Sequence, residues 1–257
     1  MSDAPSIITQ VNRDGTPAHT AAGGKSAQKA KYPARRGIWS LLFCCGRGTQ
    51  EAESPEHVTD RTVTESQSDY NGEPLLGPLR KDDKGRKCLV LDLDETLVHS
   101  SFRPIPNPDY IIPVEIEGIV HQVYVLKRPY VDEFLKRVGQ LFECVLFTAS
   151  LAKYADPVSD LLDKDRVLRS RLFRESCVQH RGNYVKDLSR LGRELSQTVI
   201  IDNSPASYAF HPDYAIPIVT WFDDKNDTAL LDLIPFLEYI AKVDNVQTAL
   251  RAKPPPR

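Results

Sequence analysis

The chain is predicted to be an α/β protein, a parallel sheet with helices on both faces. Three observations predict this. Nearly unbroken apolar runs at 87–93, 142–147 and 198–201 read as short strands buried on both sides. Segments with helical spacing separate them, and strands alternating with helices argue for a parallel sheet rather than a sandwich. Each strand also ends in residues able to do chemistry, at the sheet edge where ligands collect in such folds.

The elements follow in order. Lys87 to Leu93 is the first strand. Ile111 to Ile116, Glu117-Gly118 and Ile119 to Lys127 read as a β-hairpin, with apolar residues on either side of a turn dipeptide. Val131 to Val138, after Pro129, is a short amphipathic helix. Phe142 to Phe147 is the second buried strand. Leu151, Tyr154, Val158, Leu161 and Leu162 recur at helical spacing. Thr198 to Ile201 is the third strand, and Thr228 to Val243 is a terminal helix. The folded unit is expected over residues 84–251, with a disordered tail at 252–257.

Residues 1–83 read as mostly disordered, being rich in Ser, Thr, Gly, Pro and charge without periodicity. Residues 1–50 hold seven Lys/Arg and two Asp/Glu, whereas 51–83 hold nine acids and three bases. An apolar island interrupts them at 38–45, Ile-Trp-Ser-Leu-Leu-Phe-Cys-Cys, flanked by Arg35, Arg36 and Arg47. Eight residues cannot span a bilayer. Adjacent cysteines in an apolar knot beside bases suit reversible acylation of Cys44 and Cys45 at a membrane surface. A docking motif for a partner protein is the alternative. Zinc is discounted, since no C-x-x-C or matching His spacing is present.

The 257 residues carry a formal net charge of -2, which makes no case for direct nucleic-acid binding. Five cysteines in irregular spacing do not form a disulfide framework, and Cys88 and Cys144 sit in apolar runs as core residues. A reducing compartment, cytosol or nucleus, fits this usage. The first 30 residues lack the apolar core of a signal peptide.

The most informative segment is Asp92-Leu93-Asp94-Glu95-Thr96, directly after the first strand. Asp92 and Asp94 would share a face if the extended path persisted; a turn there would instead expose the backbone carbonyl of Asp94. Two acids this close repel unless a cation or a shared proton relieves them, and magnesium is the natural reliever beside phosphate. The second strand ends in Phe147-Thr148-Ala149-Ser150 and the third in Asp202-Asn203-Ser204, with Val185-Lys186-Asp187-Leu188 between. An aspartate can attack phosphorus, and a second acid can protonate the leaving alkoxide. A lysine and a metal can offset charge on the transferring group, and a hydroxyl can hold one phosphoryl oxygen. Each part has a structural alternative: Thr148 as a helix cap, Lys186 as a surface lysine, Asp202-Asn203 as a turn. Together and in this order they are far more specific.

The set Asp92-Leu93-Asp94-Glu95-Thr96, Thr148, Lys186 and Asp202-Asn203 resembles the haloacid dehalogenase superfamily. Leu93-Asp94-Glu95-Thr96-Leu97-Val98-His99-Ser100, Leu126-Lys127-Arg128-Pro129, Phe147-Thr148-Ala149-Ser150 and Asp202-Asn203-Ser204-Pro205 look closer still to the FCP/SCP-like small phosphatases. These act on the C-terminal domain (CTD) of RNA polymerase II. The resemblance covers about residues 86–250. It implies that Asp92 is a nucleophile that becomes phosphorylated, that Asp94 is the general acid/base, and that Thr148 and Lys186 stabilise the transition state. It implies magnesium held by the Asp92 carboxylate, the Asp94 backbone carbonyl and the Asn203 side chain, with Asp202 behind them. Many superfamily members carry two acids where this chain has Asp202-Asn203, and the small CTD phosphatases share the Asp-Asn pattern.

Only positions 99–147 separate Val98 from Thr148, and a hairpin and a helix fill much of that stretch. No large cap domain is expected, so an open site suits a phosphorylated side chain on a protein. The resemblance implies an apolar pocket for a proline near the phosphoserine, built by Phe102, Val114, Ile116, Val123, Leu151 and Tyr154, with Arg174 touching the peptide. The alternative for these apolar residues is plain core. The resemblance further implies negative regulation of transcription. The expected location is the nucleus, with a cytoplasmic or, through acylation of the N-terminal region, a membrane-associated location as the alternative. Other phosphorylated regulators, such as SMAD proteins or repressors of neuronal genes, join the expected partners, and a monomer is the default. No further folded module is expected after Arg251. The rival readings are an inactive phosphopeptide-binding scaffold, or a phosphatase for other phosphoproteins at the nuclear envelope. Retention of Asp92, Asp94, Lys186 and Asn203 argues against the first, and the missing membrane span against the second.

Overall fold

The structure, a computed structural model, describes residues 9–10, 72–252 and 255. The island at 38–45 with Cys44 and Cys45 lies outside the described residues, as do residues 253–254 and 256–257 of the tail. In chain order the strands are β1 (Thr9–Gln10), β2 (Lys87–Leu91), β3 (Val98–Ser101), β4 (Tyr110–Ile116), β5 (Ile119–Lys127), β6 (Phe142–Phe147), β7 (Leu168–Leu172), β8 (Val178–His180), β9 (Asn183–Val185), β10 (Thr198–Asp202) and β11 (Ala215–Pro217). The α-helices are α1 (Val131–Leu141), α2 (Ala152–Leu162), α3 (Ala229–Ile240) and α4 (Val246–Ala252).

Five strands form the expected parallel sheet, in the order β11-β10-β2-β6-β7. Its three apolar strands occupy the middle, where both faces are covered and every residue is buried. Successive side chains point to opposite faces. Leu89, Leu91, Cys144, Leu146, Val199 and Ile201 accordingly join one apolar cluster, and Cys88, Val90, Val145, Phe147 and Ile200 join another. Helices lie on both faces, but of different kinds. The buried apolar residues of all four α-helices belong to the first cluster. The second face is closed by short 3-10 turns at Leu188–Leu191 and Pro205–Tyr208, and by Leu76.

The hairpin of β4 and β5 has the expected register, with Ile116 opposite Ile119. Its turn residues Glu117 and Gly118 have φ of 52° and 75°. A two-residue turn with both φ values positive matches the right-handed twist of the strands, and glycine meets that demand without steric cost. β3 adds antiparallel to β5, and β1 to the other edge at β4.

The edges were less legible than the middle. β7 reads Leu-Arg-Ser-Arg-Leu, and β11 is three residues long with a proline, which only an edge strand tolerates. The expected terminal helix stops at Ile240, and α4 follows as a separate element. The folded unit also begins upstream of Lys84. Leu75 and Leu76 donate backbone hydrogen bonds to the carbonyls of Arg190 and Leu191, and Leu76 is only 4% exposed. Gly192 makes room for this segment. A Cβ there would lie 2.5 Å from Cβ of Pro74, and its φ is 76°. Burial of one apolar side chain and closure of a backbone ladder overrode the polar composition around it.

Candidate functional site

The central strand β2 delivers Asp92 to the carboxyl edge of the sheet, where its N–H donates to the Ile201 carbonyl at 3.1 Å. The extended path ends there. Glu95 takes a positive φ of 56°, and its N–H donates to the Val98 carbonyl at 2.7 Å. Leu97 N–H closes onto the Leu93 carbonyl at 2.9 Å. Of the two geometries open for Asp94, the structure therefore adopts the turn. Asp92 and Asp94 are both buried, so the turn holds two acids away from bulk water.

Lys186 supplies the nearest positive charge. It follows β9, and its N–H is fixed to the Ser207 carbonyl at 2.7 Å. Its Nζ lies 2.5 Å from Asp92 Oδ1 and 2.6 Å from Asp202 Oδ2, and the residue is 1% exposed. Burial alone would lower a lysine pKa; the carboxylates of Asp202 and Asp92 outweigh it and hold the ammonium above its ordinary value. Asp202 is pushed up to about 6, by burial first and by the charge of Asp92 second, against the pull of Lys186. Its Oδ1 accepts from Ser204 N–H at 2.8 Å, which makes the Asp202-Asn203 turn part of the site.

Asp94 has a different environment. Ser150 Oγ donates to its Oδ2 and Tyr154 Oη to its Oδ1, both at 2.6 Å. Ser100 Oγ stands 2.5 Å from the same tyrosine oxygen. Burial pushes the Asp94 carboxyl up to about 8, and the charges of Glu95 and Asp92 add to it, while the Ser150 and Tyr154 hydrogen bonds oppose. A carboxyl with that value carries a proton near neutrality, as a general acid requires.

Thr96 links two of the remaining groups. Its hydroxyl lies 3.0 Å from Asp92 Oδ2 and 3.3 Å from Asn203 Oδ1, so these two oxygens converge on one point. Asn203 Nδ2 donates to Thr220 Oγ1 at 3.1 Å, which leaves the amide oxygen facing the carboxylates. Among the described residues no group of three or more His, Cys, Asp and Glu side chains is placed to hold a metal. A carboxylate, an amide oxygen and a backbone carbonyl nevertheless form a hard oxygen set of the kind divalent cations prefer. Asp92, Asp94 and Asp202 are three buried carboxyl groups, and the ammonium of Lys186 contacts two of them. The residues present thus fit a hard cation.

Thr148 follows β6, buried, with its N–H on the Leu172 carbonyl at 2.9 Å and its Oγ1 accepting from Ser150 N–H at 3.0 Å. The same short turn therefore carries Thr148 and orients Ser150 toward Asp94.

Of the six apolar residues expected to receive a proline, Val114, Ile116, Val123 and Tyr154 belong to one cluster and Phe102 and Leu151 pack against it. Val114, Ile116 and Val123 are 1%, 6% and 0% exposed, and Tyr154 is 0% exposed. They pack as core between the hairpin and α2, the plain alternative for them. Phe102 and Leu151 keep partial exposure against that cluster, and His121 meets the Phe102 ring edge-on with centroids 5.9 Å apart. Arg174 is tied by Nε to the Ala149 carbonyl at 2.6 Å and lies 4.9 Å over the Tyr184 ring. That places it beside the Thr148 turn.

Thr96, Ser100 and Ser150 were given no role from sequence, and Tyr154, expected in the apolar pocket, also donates to Asp94. Thr96 had a signal, four residues after Asp92 inside the motif. Ser100 and Ser150 also stand inside the quoted motifs, but their partners are set by the fold: the Thr148 turn brings Ser150 to Asp94, and β3 brings Ser100 to Tyr154.

Residues 87–247 match the model of the family described as NLI interacting factor-like phosphatase. "CTD small phosphatase-like protein 1" of Caenorhabditis elegans is 56% identical over 251 residues, covering 98% of this chain and 47% of that protein. The chain therefore spans about half the length of that relative. "Carboxy-terminal domain RNA polymerase II polypeptide A small phosphatase 1" of Homo sapiens is 54% identical over 260 residues, covering 98% of this chain and 99% of that one. "CTD small phosphatase-like protein" of Mus musculus is 56% identical over 270 residues, covering 96% and 98%.

Proposed function

The chain belongs to the NLI interacting factor-like phosphatase family, and on that premise we propose that it is a magnesium-dependent protein serine/threonine phosphatase. Its substrate is phosphoserine in the heptad repeats of the RNA polymerase II C-terminal domain. The names of relatives matched over nearly their whole length support the substrate. The observation that carries the reaction is the pairing of two buried acids in opposite settings. Asp92 is bound to the ammonium of Lys186, and Asp94, its carboxyl pushed up to about 8 by burial, accepts from Ser150 and Tyr154.

The chemistry follows from these settings. A carboxylate oxygen of Asp92 attacks phosphorus, and the bond to the serine oxygen breaks. The proton of Asp94 passes to that oxygen as it leaves. Asp94, now ionised, takes a proton from water, whose oxygen attacks the phosphorus of the aspartyl-phosphate and frees Asp92 and phosphate. Lys186 holds and aims the Asp92 carboxylate, and Thr148 offers its hydroxyl to a phosphoryl oxygen. Asp92, the Asp94 carbonyl and Asn203 would hold magnesium, which supplies positive charge toward the phosphoryl oxygens when bound. The absence of a large cap between Val98 and Thr148 suits a phosphorylated side chain on an extended peptide.

The test is phosphate release from phosphorylated heptad peptides, with magnesium and with EDTA, for the wild type and Asp92→Asn. Release that needs magnesium and vanishes in the variant is expected. Unchanged release in Asp92→Asn would remove the nucleophile assignment, and tight binding without turnover would favour the scaffold reading. The nuclear location, and membrane contact through acylated Cys44 and Cys45, are part of the same proposal. Cys44→Ser with Cys45→Ser should move the protein out of membrane fractions, and an unaltered distribution counts against acylation.

A further inference from the structure

We propose that the ion pair of buried Arg128 and partly exposed Asp227 is a positioning strut for the reaction, holding Thr96 and through it Asp92 and Asn203. The inference rests on the phosphatase reading of the site. Arg128 follows β5 and is 1% exposed. Its Nε and Nη2 each donate to one carboxylate oxygen of Asp227 at 2.8 Å, and its Nη1 donates to the Thr96 carbonyl at 3.1 Å. Its own N–H donates to the Leu97 carbonyl at 3.0 Å. One planar guanidinium thus spans the motif turn and the start of α3, where Asp227 Oδ1 also accepts from Ala229 N–H at 3.2 Å.

The segment that carries Asp227 touches the site at three more points. Ile218 N–H donates to the Asp202 carbonyl, Thr220 accepts from Asn203, and Trp221 N–H donates to the Glu95 carbonyl at 2.9 Å. Residues 218–228 are therefore laid along the whole rear of the site, and the fork of Arg128 pins their far end.

Stability alone is a weak reason for such a pair. A buried ion pair is often replaceable by apolar residues without loss of stability, because desolvation offsets most of the attraction. What apolar residues cannot supply is a rigid three-point fork with one donor on the Thr96 carbonyl. Thr96 Oγ1 has a single hydrogen and two acceptors, Asp92 and Asn203. The position of its backbone decides both distances. Misplacing a reacting group by about 1 Å can cost on the order of a hundredfold in rate.

The experiment measures kcat and KM on a phosphorylated heptad peptide with magnesium, for wild type, Asp227→Asn, Thr96→Val and the double variant. Each is assayed well below its own unfolding temperature. Asp227→Asn is expected to lower kcat about tenfold with KM changed less than about twofold, the pattern of an interaction felt in the transition state. Adding it to Thr96→Val should cost less than about a further twofold, because the strut acts through Thr96. If Asp227→Asn does not fold, Arg128→Lys, which keeps the charge and loses the fork, goes through the same cycle with the same expectation. Folded variants with kcat unchanged, or losses that multiply with that of Thr96→Val, overturn the strut. No phosphate release from the wild type would instead overturn the phosphatase reading beneath it.

Discussion

The hydroxyl of Tyr154 donates to Oδ1 of Asp94 at 2.6 Å, from a side chain wholly buried in the first turn of α2. An aromatic residue at a core position thereby orients the acid. Tyr154→Phe keeps the packing and removes one of the two hydroxyl donors to Asp94. We expect kcat to fall about tenfold, within the range a positioned general acid contributes, with little change in KM. The lost hydrogen bond favoured the ionised form, so the Asp94 value moves further up and the basic limb of the kcat profile shifts to higher pH. A limb that shifts downward or stays in place contradicts this role.

Metal-free protein should be less stable at slightly alkaline than at mildly acidic pH. The folded-state values of Asp94 and Asp202 are raised to about 8 and about 6 from 3.8. Between 3.8 and those values the folded chain binds protons that the unfolded chain has released, so stability falls as pH rises through that window. Urea unfolding in EDTA should show this decline, and Asp94→Asn should flatten its part up to about pH 8. A decline of equal slope in the variant would show that Asp94 is not its source.

Lys186→Met should abolish most activity. The substitution leaves Asp92 and Asp202 facing each other without the ammonium that both contact. Loss of a charge that stabilises the transition state typically costs on the order of a hundredfold to a thousandfold in kcat. The metal-free variant should also unfold earlier on heating, since a buried charge pair has lost its partner. Single-turnover kinetics with a phosphopeptide and thermal unfolding check both outcomes.

The apolar surface beside the site should divide into two groups of variants. Phe102→Ala and Leu151→Ala should raise KM several-fold for a proline-containing phosphopeptide and leave hydrolysis of p-nitrophenyl phosphate nearly unchanged, because these two keep partial exposure. Val114→Ala and Val123→Ala should instead lower stability by about 1–3 kcal/mol, as truncations in a packed core do. The measurements are KM for the two substrates and chemical denaturation. An equal KM change in all four would show that the peptide reaches deeper than the rim.

The sequence alone determined the central sheet and the candidate reacting groups. Strands buried on both faces write an apolar run into the chain, and the residues after Leu91, Phe147 and Ile201 announce strand ends with chemistry. The Glu117-Gly118 turn was legible because two positive φ values narrow the choice of residues. Edge strands β7 and β11 left little trace, since half-buried strands carry mixed side chains. Only the tertiary structure decided how the two acids differ. Ser100 and Tyr154 lie 54 residues apart yet meet at 2.5 Å beside Asp94, while Lys186 reaches Asp92 across 94 residues. Charge, burial and hydrogen bonding at a carboxylate depend on neighbours that are close in space and distant in sequence. No local pattern records them, and packing alone gives Asp94 two hydroxyl donors and Asp92 an ammonium.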